Sequence, residues 1–106
     1  MKVPNHWPTR WDIRGKRYRV IYRKPPPICQ RGITYQLAGD VDHPQTKGKQ
    51  MRIDPALTGV ELLAAIMHEY THPAQWDLCE DAVREITDGL AAFVWRFGYR
   101  LPEDAE

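Results

Sequence analysis

The 106-residue chain is long enough for one small domain, 1–106, and too short for two. Hydrophobic residues make up 42% and charged residues 27%, the balance of a soluble globular protein, and no apolar run approaches the ~20 residues of a membrane span. The net charge of +1 conceals a split: residues 1–52 carry twelve Lys or Arg against Asp12, Asp40 and Asp42, whereas residues 53–106 carry three Arg against eleven acids.

Residues 1–10 are rich in proline and polar groups, with Trp7 as the main apolar anchor, and are expected to form a loosely held arm. Residues 11–14 alternate as a short strand ending at Gly15-Lys16. Residues 17–23 alternate more clearly, with Tyr18, Val20 and Tyr22 on one face, as in a half-buried strand. Pro25-Pro26-Pro27 cannot continue a ladder and ends that strand as a stiff connector. Residues 33–38 alternate again. Residues 39–48 read as a polar loop containing Asp40, Asp42 and His43. Residues 49–53 form a third strand with Met51 and Ile53 facing inward.

Two helices follow. Thr58 and Glu61 fit a capping box, with Leu57 and Leu62 placed as its hydrophobic staple. Leu62, Leu63, Ile66, Met67 and Tyr70 make the apolar stripe of the first helix. His68, Glu69 and His72 edge that stripe, and Pro73 is expected to stop the helix straight after His72. Asp77 is expected to cap the second helix with Glu80 at its third position. Ala82, Val83, Ile86, Leu90, Phe93, Val94 and Phe97 are its expected buried stripe, and Gly98 its terminator. The pattern predicts an α+β fold: a small antiparallel or mixed sheet of about three strands, then an active-site helix and a second, C-terminal helix.

Two features carry chemistry. The first is His68-Glu69-Tyr70-Thr71-His72, an H-E-x-x-H run. Residues four apart share a helix face, so both imidazoles can address one metal ion, and Glu69 stands one step round the helix as a candidate general base. A zinc site of this kind takes three protein ligands and keeps one position open. Glu80, Asp81 and Glu85 are the candidate third ligands. Glu80 is favoured, because it begins the second helix, near where the first one ends, and the helix terminus favours its ionised form. Cys79 is a rival ligand that reads better as a buried core thiol. For an oxyanion, Tyr70, Tyr99, Arg96 and His43 are all conceivable donors, and the sequence picks none. Trp76 is expected to pack between the two helices.

The second feature is the basic run over residues 10–31, opposed only by Asp12. It reads first as a solvated sheet face, and second as a surface that could meet nucleic acid or an acidic partner. No apolar h-region follows the first six residues, and Cys29 and Cys79 form no CxxC pair. The expectation is a cytoplasmic protein with reduced thiols and no membrane partner. Nothing in the sequence specifies an oligomeric state.

The segment from Arg52 to Gly59, then Leu62-Leu63, then the His68 to His72 motif, resembles the small HExxH proteins of the zincin class found in phages and bacteria. Glu80-Asp81-Ala82-Val83 and the run from Leu90 through Trp95 to Arg100 continue the likeness, which covers roughly residues 30–101. The pattern is similar to minimal gluzincin-type or SprT-like metallopeptidase domains. That resemblance implies a zinc ion on His68 and His72, Glu80 as third ligand, Glu69 as the catalytic residue and a peptide or protein substrate.

Overall fold

A computed structural model describes residues 3–101, the side chain of Tyr35 excepted. Its elements are β1 (Arg10–Ile13), β2 (Lys16–Tyr22), β3 (Ile28–Gln30), β4 (Ile33–Tyr35), β5 (Gly39–Val41), β6 (Gln50–Ile53), α1 (Gly59–Ala74) and α2 (Glu80–Arg96). Four strands form a mixed sheet in the order β1-β2-β6-β5. β2 and β6 run parallel and the two outer pairs antiparallel. β3 and β4 form a separate two-stranded hairpin. The α+β class is as the sequence predicts, with more strands than expected.

The alternation of β2 places Tyr18 and Val20 in the core, where they meet Ile13 of β1, Met51 and Ile53 of β6, and Leu62 of α1. Tyr18 is fully buried yet satisfied, since its hydroxyl donates to the Asp42 carbonyl at 3.0 Å. The expected arm is held rather than loose over its described part, 3–9. The Trp7 ring lies 5.1 Å from that of Tyr22, whose hydroxyl donates to the Pro8 carbonyl, and the Val20 amide donates to the Thr9 carbonyl. Residues 1–2, and the acidic tail 102–106, lie outside the described residues.

Two local expectations about the strands are corrected. The strand expected over 33–38 stops at Tyr35, because its partner is the short β3 and not the main sheet. The turn between them is Arg31-Gly32, with φ of 52° and 75°, matching the Arg14-Gly15 turn of the first hairpin at 52° and 79°. Both suit a two-residue primed turn. The polar loop expected over 39–48 instead begins with β5. Asp40 and Asp42, two residues apart, face Arg52 on β6: the guanidinium meets Asp40 at 2.5 Å and Asp42 at 3.0 Å. This ion pairing across the ladder fixes β5 as the sheet's edge strand beside α1.

The helices depart from expectation at their ends and on their faces. α1 starts after Thr58 as expected, although the Thr58 side chain makes no capping bond. It continues through Pro73 to Ala74. A proline in the last turn removes only the amide that would have bonded the Glu69 carbonyl, and the Gln75 amide still closes the next bond onto Thr71 at 2.8 Å. The buried line of α1 is Leu62, Ala65, Glu69 and Pro73, while Tyr70 is exposed. The N-cap of α2 is Cys79, not Asp77, and Cys79 is exposed rather than a core thiol. Only Val83, Thr87 and Ala91 of α2 are fully buried. Ile86, Leu90, Phe93 and Phe97 face outward, because α1 meets α2 through small residues along a single narrow stripe.

Candidate metal centre

The turn over residues 75–79 reverses the chain, so the first turn of α2 comes back against the last two turns of α1. This brings His68, His72 and Glu80 together, with one ligand atom from each within 4.8 Å of the others. His68 Nε2 is 2.8 Å from Glu80 Oε1, His72 Nε2 is 2.8 Å from Glu80 Oε2, and the two Nε2 atoms are 3.0 Å apart. Donors around a tetrahedral zinc with bonds of ~2.0–2.1 Å stand about 3.3 Å from one another. The three side chains therefore converge at a spacing slightly inside that of a loaded site, and two imidazoles with one carboxylate are a donor set that zinc accepts.

The tautomer also suits a metal. The Thr87 hydroxyl donates to the Val83 carbonyl at 2.8 Å, so toward His68 Nδ1, 3.4 Å away, it can only accept. That contact favours the proton on Nδ1 and leaves the His68 Nε2 lone pair facing the cluster. Burial lowers the pKa of His72, with His68 acting in the same direction and Glu80 opposing it. A lowered pKa keeps the imidazole neutral, the form that binds metal.

Glu69 lies under β5 and is only 5% exposed. Its carboxyl is pushed up to about 8, chiefly by burial and further by the carboxylates of Glu80 and Asp40. Cation charge beside it would lower that value, toward the carboxylate form that a general base needs. The room for it comes from Gly39: a Cβ at that position would stand 2.8 Å from Glu69 Cγ and 2.7 Å from the Arg52 carbonyl oxygen.

A cleft of about 590 Å³ opens over the site. His68, Glu69, His72 and Glu80 all line it, Gly39 to Val41 of the edge strand form one wall, and Trp76 and Arg84 stand at its margin. Trp76 does not pack between the helices. It is half-exposed, its ring 4.7 Å from that of His43 and 6.1 Å from that of His72.

The rival third ligands are not in the cluster. Asp81 is almost fully exposed and meets only Arg84 at 3.8 Å, while Glu85 and Cys79 point to solvent. Among the candidate oxyanion donors, Tyr70 lines a different groove with Trp7 and Trp11. Arg96 sits about 24 Å along α2 from Glu80, and Tyr99 lies beyond the end of that helix. His43 is the nearest, through its contact with Trp76, and its Nδ1 accepts from the Gln45 amide at 3.0 Å, which leaves Nε2 as the donor.

Thr87, Gly39 and the Asp40–Arg52–Asp42 set were not singled out from the sequence. For the last, the signal was present: Asp40 and Asp42 alternate, and so do Gln50 and Arg52, as same-face pairs on neighbouring strands do. No family model matches the chain, and no curated protein or solved structure is significantly similar to it.

Proposed function

We propose that the chain is a zinc-dependent peptidase-type hydrolase. The observation that carries this reading is the convergence of His68, His72 and Glu80 in one cleft, beside a buried Glu69. His68, His72 and Glu80 would hold the ion. When bound, zinc supplies a Lewis acid that polarises a carbonyl and makes water acidic enough to deprotonate near neutral pH. Glu69 is the base that takes the proton from the attacking water and returns it to the leaving amine. The bare edge of β5 along the cleft wall suits a substrate in extended conformation, whose backbone can add to the sheet.

Zinc content and activity test the reading separately. Purified protein should carry about one zinc per chain. Glu69→Gln should retain that zinc and lose hydrolysis of an unfolded protein substrate such as casein, whereas Glu80→Ala should retain zinc at least about tenfold more weakly. A Glu69→Gln variant as active as the parent would refute the base assignment. Zinc with no hydrolysis by the parent chain would leave the alternative, a metal-binding regulatory or interaction module.

One observation favours a nucleic-acid or acidic-protein contact in that module. Arg10 and Arg19 stand directly opposite each other on β1 and β2, a like-charge pair that costs stability without an anion. Both are exposed, as are Lys16 and Arg23 nearby. Single-stranded DNA binding that weakens steeply between 50 and 200 mM salt, and is lost in Arg10→Ala/Arg19→Ala, is the expected outcome of this reading. No binding at low salt would dismiss it.

A further inference from the structure

α2 carries two apolar faces and α1 covers only one. Val83, Thr87 and Ala91 are buried, whereas Ile86, Leu90, Phe93 and Phe97, about a quarter turn away, are 52%, 46%, 62% and 69% exposed. Their spacing of four, three and four residues is that of an a/d seam, the pattern by which one helix packs on another. The Phe93 and Phe97 rings are already ordered against each other, edge to face at 5.0 Å. Beside this stripe, on its solvent side, run Glu85, Gly89, Ala92 and Arg96, all exposed. Neither Glu85 nor Arg96 has an ion-pair partner among the described residues. At Gly89 the space a Cβ would enter is open.

We infer that this stripe joins two copies of the chain through an antiparallel α2–α2 contact. The pattern is self-complementary about a two-fold axis between Leu90 and Phe93. Leu90 of one copy then meets Phe93 of the other, and Ile86 meets Phe97. The same operation leaves Glu85 of each copy two residues, ~3 Å along the axis, out of register with Arg96 of the other, a gap their long side chains span, so two unpaired charges become two ion pairs. Gly89 and Ala92 flank the stripe close to its midpoint, where small residues let the backbones approach. A parallel pairing would oppose Glu85 to Glu85 and Arg96 to Arg96, and like charges exclude it. The four apolar side chains leave roughly 400 Å² bare, about half of the ~800 Å² per partner that a stable interface buries. The flanking Glu85 to Arg96 row and the exposed Tyr99 supply further area. None of the stripe residues lines the cleft, so the dimer holds its two clefts outside the contact and does not depend on what they do.

Sedimentation velocity of the full chain over a concentration series tests this contact. A monomer–dimer equilibrium is expected, with Phe93→Glu shifting it to monomer. A parent chain that stays monomeric at ~0.5 mM, or a Phe93→Glu variant that dimerises as well as the parent, would overturn the proposal. The charge row supplies a test that does not touch the apolar stripe. Glu85→Arg and Arg96→Glu should each weaken the dimer about tenfold or more, and the double swap Glu85→Arg/Arg96→Glu should restore it to within a few-fold of the parent. Failure of the double swap to restore association would overturn the antiparallel geometry.

Discussion

The close approach of β5 to α1 depends on one missing methyl group. At Gly39 a Cβ would meet the Arg52 carbonyl oxygen at 2.7 Å and Glu69 Cγ at 2.8 Å, and the first of these is backbone that cannot swing aside. Gly39→Ala should therefore cost about 2–3 kcal/mol, read as a lower urea midpoint at unchanged m-value. A variant as stable as the parent would mean that β5 moves freely against the helix. Tyr22 gives a residue-scale prediction in pH. Burial pushes its hydroxyl up to about 12, above the ~10 of an unfolded tyrosine. The folded state thus keeps a proton that the unfolded state sheds. The stability contributed is fully present below pH ~10 and is lost as the pH rises toward 12. Tyr22→Phe keeps the ring and removes this titration, so its guanidinium midpoint should fall less between pH 8 and 11 than the parent's. An equally steep fall would assign the alkaline limb to other groups. The two candidate ligand histidines and Glu69 were legible at this scale, because i and i+4 on a helix need no tertiary information to share a face. Glu69's burial was not legible, because it comes from β5, thirty residues earlier in the chain.

Among the elements, the helices were the more readable. Thr58 and Gly98 mark two of their ends, and Gly98, at φ of 98°, closes α2 in a Schellman arrangement. Its amide bonds the Trp95 carbonyl at 3.0 Å while the Tyr99 amide reaches Val94 at 3.4 Å. Gly98→Ala forces a left-handed conformation on an L side chain and should cost about 1 kcal/mol, measured as a lower thermal midpoint. An unchanged midpoint would show that the cap opens at no cost. Which face α2 buries was misread, for a physical reason. A period of 3.6 reports that an apolar stripe exists, not which neighbour covers it. The narrow contact with α1 takes the small side chains Val83, Thr87 and Ala91, and the larger stripe is left to solvent or to a second copy. The short β3 and β5 escaped detection because three residues are too few to show a period of 2.

For the molecule as a whole, the candidate centre ties the two helices together at the end where the chain reverses. An ion held by His68 and His72 on α1 and by Glu80 on α2 would bind only when the hairpin is formed, and so would stabilise the folded state by mass action. At a free zinc concentration of ~100 times Kd the gain is ~2.7 kcal/mol, which for a chain of this size raises the thermal midpoint by roughly 10–20 °C. Calorimetry with buffered zinc and with chelator should show that difference, and Glu80→Ala should shrink it. Equal midpoints in both conditions would argue against a site built from both helices. No helix among the described residues is long and apolar enough to cross a membrane, in line with the composition. The sequence by itself determined the α+β class, the two helices and the pair of imidazoles, all of which follow from local periodicity, capping and spacing. Only the tertiary structure decided that Glu80 and not Asp81, Glu85 or Cys79 joins the histidines, that Glu69 is buried under an edge strand, and that the larger apolar face of α2 is bare. Those depend on the angle at which one element meets another, and that angle is set by side-chain volumes distant in the chain.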